Sequence, residues 1–530
     1  MGRRGRLVLT RVVRRFTTIG AVAILIFAVV SLGLLWLHGN RLVFNNDEGI
    51  ILDAAARMLH GETLYRDFFG YMSPGSYWLQ EAAFGLFGVT LRAGRLVVIL
   101  DFAVECALLF WLTARLAGKK AGFAVAVLFF AFQAAPEFLL AQHRMDSAAL
   151  SLVSIALCLE GRRRGRAWYW VMAGVLTVGA AACTPSIALL APATLIWLFS
   201  DRSSRRFLIP YACGWCAGSL AILAALAANR SILPFIDQMT WLRRNYSDVN
   251  IMPYGSLIGG YDTAFRTATG THRVVRSLAL FCFALPAVLP VVALVAWSLQ
   301  MLLRRAERLW AAKNAIPYLL ACMVAYVGST YPRADVAHLA FVAVLPAALT
   351  AVWVARYTPR WLAAGLLGFL AVWAGVFLAQ TASSLRGEVA VVTPVGTLST
   401  TPTNAQAVGA LLKAVRPDDG LYVHPYKPLF YFLTQGRNPT RYSYLAPGMM
   451  THNEEAEALA ALKNSPPRWM LYLPLSRDEF LRVFPHAAGL DHLFPMIEAW
   501  RQQEYVPVEP AVIVTGYRLY ERRAIPVPAP

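Results

Sequence analysis

Two adjacent carboxylates, Asp47 and Glu48, stand in the stretch Asn45-Asn46-Asp47-Glu48-Gly49, just past the first long apolar run of the chain. A carboxylate held at a membrane surface can take the proton of an attacking hydroxyl, which is general-base chemistry. The same residue types suit the first turn of a helix, where acidic groups answer free backbone N–H groups and the positive dipole end. The two roles are compatible at one position.

Cations on the same face would complete such a site. His143-Arg144-Met145-Asp146 and Tyr331-Pro332-Arg333-Ala334-Asp335-Val336-Ala337-His338 each set an arginine beside an aspartate at the edge of an apolar run. Asp335 and His338 are three residues apart and share a helical face. Local ion pairs that finish helix ends explain these clusters equally well. A third cluster, Trp241-Leu242-Arg243-Arg244-Asn245-Tyr246, reads as an interfacial anchor or the border of a lipid groove. Asp101 and Glu105, four apart inside an apolar run, face a cavity or remain protonated against neighbouring helices.

Composition dictates what must position these groups. With 58% hydrophobic and 15% charged residues among 530, and a mean hydropathy of +0.50, the chain reads as a polytopic α-helical membrane protein. Apolar runs at 19–37, 94–114, 121–140, 146–160, 167–182, 186–199, 207–228, 276–303, 315–330, 337–355 and 361–380 predict about eleven spans. The first follows an arginine-rich start and lacks a small-residue cleavage site, so it reads as a retained helix. A net charge of +19 suggests nucleic acid only until its distribution is read. Alternate connections hold 22 basic residues against Glu160, Asp201 and Glu307. By the positive-inside rule those connections are cytoplasmic, so the N-terminus is inside and Asp47 outside. None of the seven cysteines implies a disulfide framework. Cys213-Gly214-Trp215-Cys216 lies in an apolar run where Gly214 and Gly218 suit helix packing better than redox chemistry. No internal repeat of the inverted-transporter kind is evident.

Two regions lie outside the spans. The first outer loop, 38–92, predicts amphipathic interfacial helices: one capped by Asn46, striped by Ile50, Ile51, Ala54, Ala55, Met58 and Leu59 and ended by Gly61, another through Tyr77, Trp78, Leu79, Phe84 and Phe87. The tail, 381–530, carries 14 basic and 13 acidic residues and reads as a C-terminal extracytoplasmic α/β domain. Strands are predicted at 421–423, 469–473 and 511–514, and helices at 454–463 and 477–483. The boundary with the transmembrane domain, 1–380, is set at this change of composition.

Asp47-Glu48-Gly49 after the first span, Ala55 with Gly61, Tyr65 with Asp67, Pro74-Gly75 and Leu91-Arg92 with Arg95 together resemble the GT-C glycosyltransferases. Within them the pattern is most similar to the protein O-mannosyltransferase and aminoarabinose-transferase type. The resemblance implies that Asp47 is the catalytic base, with Glu48 supporting it at the acceptor side. It implies a sugar donor linked to polyprenyl phosphate, with Arg144, Arg333 and His338 receiving the phosphate. Tyr65, Asp67, Asp146 and Asp335 become acceptor-side or supporting residues. No cofactor is required, though Asp47, Glu48 and Asp146 could hold a divalent cation. The expected partners are the lipid-linked sugar, a periplasmic acceptor and membrane lipid, at the bacterial inner membrane. One base and no second nucleophilic carboxylate predict inversion at the anomeric carbon. A flippase of lipid-linked saccharides, or a membrane-anchored glycan-binding protein, are the alternatives from other classes.

Overall fold

The computed structural model describes residues 3–135, 138–257, 269–303, 315–474, 476–478, 481 and 493–523. Ten helices fill the chain to residue 250: α1 (Arg3–His38), α2 (Asn46–Leu59), α3 (Pro74–Phe87), α4 (Leu91–Ala117), α5 (Lys119–Gln133), α6 (His143–Arg164), α7 (Ala167–Cys183), α8 (Leu190–Ser200), α9 (Leu208–Ala228) and α10 (Ile232–Asn250). Further apolar helices follow at Gly270–Phe283, Leu285–Leu303, Ile316–Gly328, Val344–Tyr357 and Arg360–Ser384. Among the described residues, five helices are long and apolar enough to cross a membrane: Thr18–His38, Leu91–Ala117, Arg205–Ala228, Leu285–Leu303 and Arg360–Ser384. Others, such as Ala167–Cys183 and Ile316–Gly328, are apolar but shorter.

The bundle has two chemically distinct ends. At one, Glu160 binds Arg115, Arg163 and Arg164, Arg162 pairs with Asp201, and Arg356 donates to the Leu116 carbonyl. Those arginines come from alternate connections, so the basic clusters grouped by the sequence pattern gather at one end. The cluster Arg304, Arg305, Arg308 and Lys313 lies outside the described residues. Between the ends, α7 and α9 pack through small residues. A Cβ on Gly214 would collide with the Val171 backbone, and one on Gly174 with the backbone of Tyr211 and Trp215. Cys213 and Cys216 are free and exposed on the outward side of α9.

At the other end stands the tail. Its sheet runs β3 (Leu421–His424), β4 (Trp469–Tyr472), β7 (Tyr517–Arg522), β5 (Tyr505–Pro507), with β6 (Ile513–Val514) also on β7. β3 and β4 are parallel and the other pairs antiparallel. A hairpin, β1 (Val389–Thr393) and β2 (Gly396–Thr400), precedes it. The predicted helix at 454–463 forms within His452–Asn464. Most of the one predicted at 477–483 lies outside the described residues.

The first outer loop differs from its expected form. The α2 helix does not lie on a membrane surface, because Ile50, Ile51, Leu52, Ala54, Ala55 and Ala56 are all buried. That sequence is apolar on more than one stripe, and the tail covers what the bundle leaves exposed. Loop and tail share a single hydrophobic core, with Ile51, Leu52, Leu64 and Phe68 among Leu398, Leu421, Phe430 and Leu519. At its closest, a Cβ on Gly49 would strike the Leu429 backbone. Hydrogen bonds seal the joint: Leu42 N–H to the Ser399 carbonyl, Leu91 N–H to that of Val395 and Phe69 N–H to that of Arg441. Arg41 pairs with Glu388 across the same seam.

Candidate active site

The candidate site begins at the first turn of α2. Asn45, rather than Asn46, is the cap: its extended backbone lets the side-chain oxygen accept the Asp47 N–H at 2.8 Å and the Glu48 N–H at 3.4 Å. From this turn the two carboxylates diverge. Asp47 is exposed. Glu48 is fully buried in a forked ion pair with Arg95 of α4, whose Nη2 donates at 2.8 Å, and it also accepts the Ala141 N–H at 3.3 Å. Its oxygens are committed to Arg95 and the Ala141 N–H, an arrangement that suits positioning the start of α2. The pair fixes the start of α2 against α4 and thereby fixes Asp47.

Arg144 stands at the start of α6. It is buried, donates from Nη1 to the Ser329 carbonyl at 3.2 Å and feels the negative charges of Asp335 and Asp47. Among the described residues no carboxylate lies within ion-pair distance of it. The second corner is arranged otherwise. Arg333 donates to Asp335 at 3.0 Å and to the Asn250 side chain at 3.2 Å. The other Asp335 oxygen meets His338 Nδ1 at 2.9 Å and caps the helix Val336–Ala340 through the His338 N–H. Asp335 is a buried hub that divides its charge between Arg333 and His338.

Several expected site residues serve elsewhere. Tyr65, fully buried with φ of +70°, donates its hydroxyl to the Met72 carbonyl at 2.6 Å and packs on Phe235. Asp67 accepts the Thr63 N–H at 2.7 Å and pairs with Arg66, which holds its carboxyl down at about 2. Both shape the loop and neither faces Asp47. Asp146 is buried and turned toward Asp101 and Ser76. Both Glu105 oxygens are buried without a hydrogen-bond partner among the described residues. Trp241 packs edge-on to Phe69 and donates to Glu454 of the tail at 2.9 Å, so that cluster joins the seam instead of facing lipid.

Three tyrosines lie within the field of Asp47, and of these only Tyr246 belongs to a cluster the sequence singles out. The Tyr71 ring lies 5.6 Å from that of Tyr246 on α10 and 5.1 Å from that of Tyr444 in the tail. The charge of Asp47 reaches all three phenols, and those of Arg144 and Arg333 reach Tyr246. Burial pushes the Tyr71 and Tyr444 hydroxyls well above the usual phenol range. Deeper in the seam, Ser443 donates to Asp53 of α2 at 2.6 Å, and burial raises the Asp53 carboxyl to about 6 against the pull of Arg57.

Comparison with known proteins follows the same outline. The family model for dolichyl-phosphate-mannose-protein mannosyltransferase matches residues 72–229. Among solved structures, ArnT from Cupriavidus metallidurans bound to undecaprenyl phosphate aligns over 96% of this chain and 99% of its own, with 14% identity and a TM-score of 0.54. The same enzyme in its apo state aligns over 94% and 97%, with 14% identity and a TM-score of 0.52. The apo oligosaccharyltransferase of Archaeoglobus fulgidus aligns over 89% and 72%, with 12% identity and a TM-score of 0.50. No curated protein matches in sequence. The chain has the GT-C glycosyltransferase fold.

Among the described residues lies an apolar cavity of about 280 Å³. Phe129, Phe132, Phe138 and Leu289 line it, and it runs from Val336, next to Asp335, to Ala355 near the basic end of the bundle. Among the described residues no three His, Cys, Asp or Glu side chains converge as a metal site would require.

Proposed function

We propose that this protein is a membrane glycosyltransferase that moves a sugar from a polyprenyl-phosphate-linked donor to an acceptor hydroxyl outside the cytoplasm. The observation that carries the proposal is an exposed, helix-capped Asp47 whose charge reaches a buried Arg144 that forms no ion pair among the described residues. Asp47 takes the proton of the attacking hydroxyl as its oxygen bonds the anomeric carbon. The bond from that carbon to the phosphate oxygen breaks on the opposite side, and the polyprenyl phosphate leaves with the electron pair toward Arg144. Arg333 and His338 assist from the Asp335 corner. The result is inversion with one carboxylate and without a covalent intermediate. This displacement requires no cofactor, and a divalent cation beside the phosphate is compatible with it.

The apolar cavity supports the reading, since it ends next to the Asp335 corner and suits a hydrocarbon tail. The ArnT structure in the comparison carries undecaprenyl phosphate, and the family model is named for a dolichyl-phosphate-dependent activity. The proposed setting is the bacterial inner membrane, with about eleven spans, a cytoplasmic N-terminus and a periplasmic tail. Purified protein with an undecaprenyl-phosphate-linked sugar tests it. Asp47→Asn is expected to lower turnover about 10²- to 10⁴-fold with little change in donor affinity. Retained turnover would remove Asp47 from the mechanism.

A further inference from the structure

The three rings are linked through Tyr71, and the order in which they are linked carries information. Tyr246 stands at the arginine end, since its carbonyl accepts from the Asn250 side chain at 3.1 Å and Arg333 donates to that same side chain at 3.2 Å. Tyr71 is in the middle, and Tyr444 is at the far end, supplied by the tail. Direct displacement requires the incoming hydroxyl to approach from the side opposite the departing phosphate. If phosphate leaves at the arginines, the far end of the linked rings is where an acceptor must lie.

Tyr444 is built to meet one there. Its neighbour Ser443 is bonded to Asp53, and Leu445 N–H donates to the Pro425 carbonyl at 2.7 Å, so the ring is held from both sides. Its hydroxyl is shielded from solvent and makes no hydrogen bond to any described group, while the neighbouring Tyr71 hydroxyl donates to Met449 Sδ at 2.6 Å. A buried phenol ordinarily finds a partner. An aromatic face beside an unsatisfied hydroxyl suits a ligand that offers both an apolar face and hydroxyl groups, which is the chemistry of a sugar ring.

We propose that Tyr444 is an acceptor-specificity residue: a sugar-ring acceptor packs against Tyr444 and Tyr71, bonds the Tyr444 hydroxyl and presents its attacking hydroxyl to Asp47. This rests on the proposed transferase function and adds to it the class of acceptor and a role for the tail in reading it.

The test uses full-length protein in lipid vesicles with undecaprenyl-phosphate-linked mannose or aminoarabinose as donor. Methyl glycosides and disaccharides serve as acceptors, with water as the background acceptor. Tyr444→Phe, which keeps the ring, is expected to raise the acceptor KM about three- to tenfold, the range for one lost neutral hydrogen bond. Tyr444→Ala raises it further, and the donor KM moves less than about twofold in Tyr444→Phe. Unchanged acceptor KM in both variants overturns the proposal, as does an equal rise in donor KM. Wild-type protein that hydrolyses a donor yet transfers to no saccharide overturns the sugar assignment. Wild-type protein that neither transfers from nor hydrolyses any lipid-phosphate donor overturns the transferase function itself, and this inference with it.

Discussion

Arg144 and Arg333 occupy similar sequence settings, each within two residues of an aspartate at the edge of an apolar run, yet the fold treats them in opposite ways. Asp146 turns away from Arg144 toward Asp101, leaving the guanidinium with a single carbonyl partner. Asp335 turns back onto Arg333 and takes His338 as well. One corner therefore holds a cation ready for an incoming anion, and the other holds a cation already answered. An arginine beside an aspartate in sequence says nothing about which of these it is. What decides is the direction in which the packing of its helix turns the carboxylate.

Turnover measurements can break or sharpen this contrast. Arg144→Ala is expected to reduce kcat/KM for a lipid-phosphate donor about 10²- to 10³-fold, the usual cost of removing a preorganised group that receives developing charge. Arg333→Ala should cost only about tenfold, because Asp335 already offsets its charge. Equal losses in both variants, read by radiolabelled transfer, would erase the distinction between the corners. Asp335→Asn probes the second corner by stability. Removing a buried carboxylate that serves an arginine, a histidine and a helix cap should cost about 3–5 kcal/mol, seen as a lower thermal midpoint in detergent.

A smaller effect is expected away from both corners. The folded-state pKa of Asp53 is raised from 3.8 to about 6, so its ionisation opposes folding. That cost is absent below about pH 4 and complete above about pH 6, so stability falls as pH rises through this window. Asp53→Asn should flatten the slope and raise the midpoint at neutral pH by the equivalent of about 2 kcal/mol. An unchanged slope would show that Asp53 does not titrate in the seam.

Much of this arrangement was legible in the sequence, and the exceptions share a cause. The helix start at Asp47 could be read locally to within one residue, since the asparagine pair and its acidic successors carry the signal within one turn, although the cap is Asn45 and not the Asn46 that the sequence suggested. So could the basic end of the bundle, the helix Arg360–Ser384 and the strands at Leu421 and Trp469. Glu48 could not, because its partner Arg95 lies 47 residues away and only the packing of α2 on α4 brings them together. The interfacial placement of α2 failed for the same reason: the chain that buries it comes from the tail. Tyr444 gave no signal of its own, as a tyrosine in a loop acquires meaning only from what it faces.

Gly49 and Leu429 also bear on how the protein is made. Backbone touches backbone there, so the turn that carries Asp47 reaches its final surroundings only after the tail around Leu429 has been synthesised. The bundle can be inserted long before that moment. Until the tail arrives, the apolar stripes of α2 have no cover and the wall containing Tyr444 does not exist. The surroundings of Asp47 are thereby complete only once the tail has packed on α2.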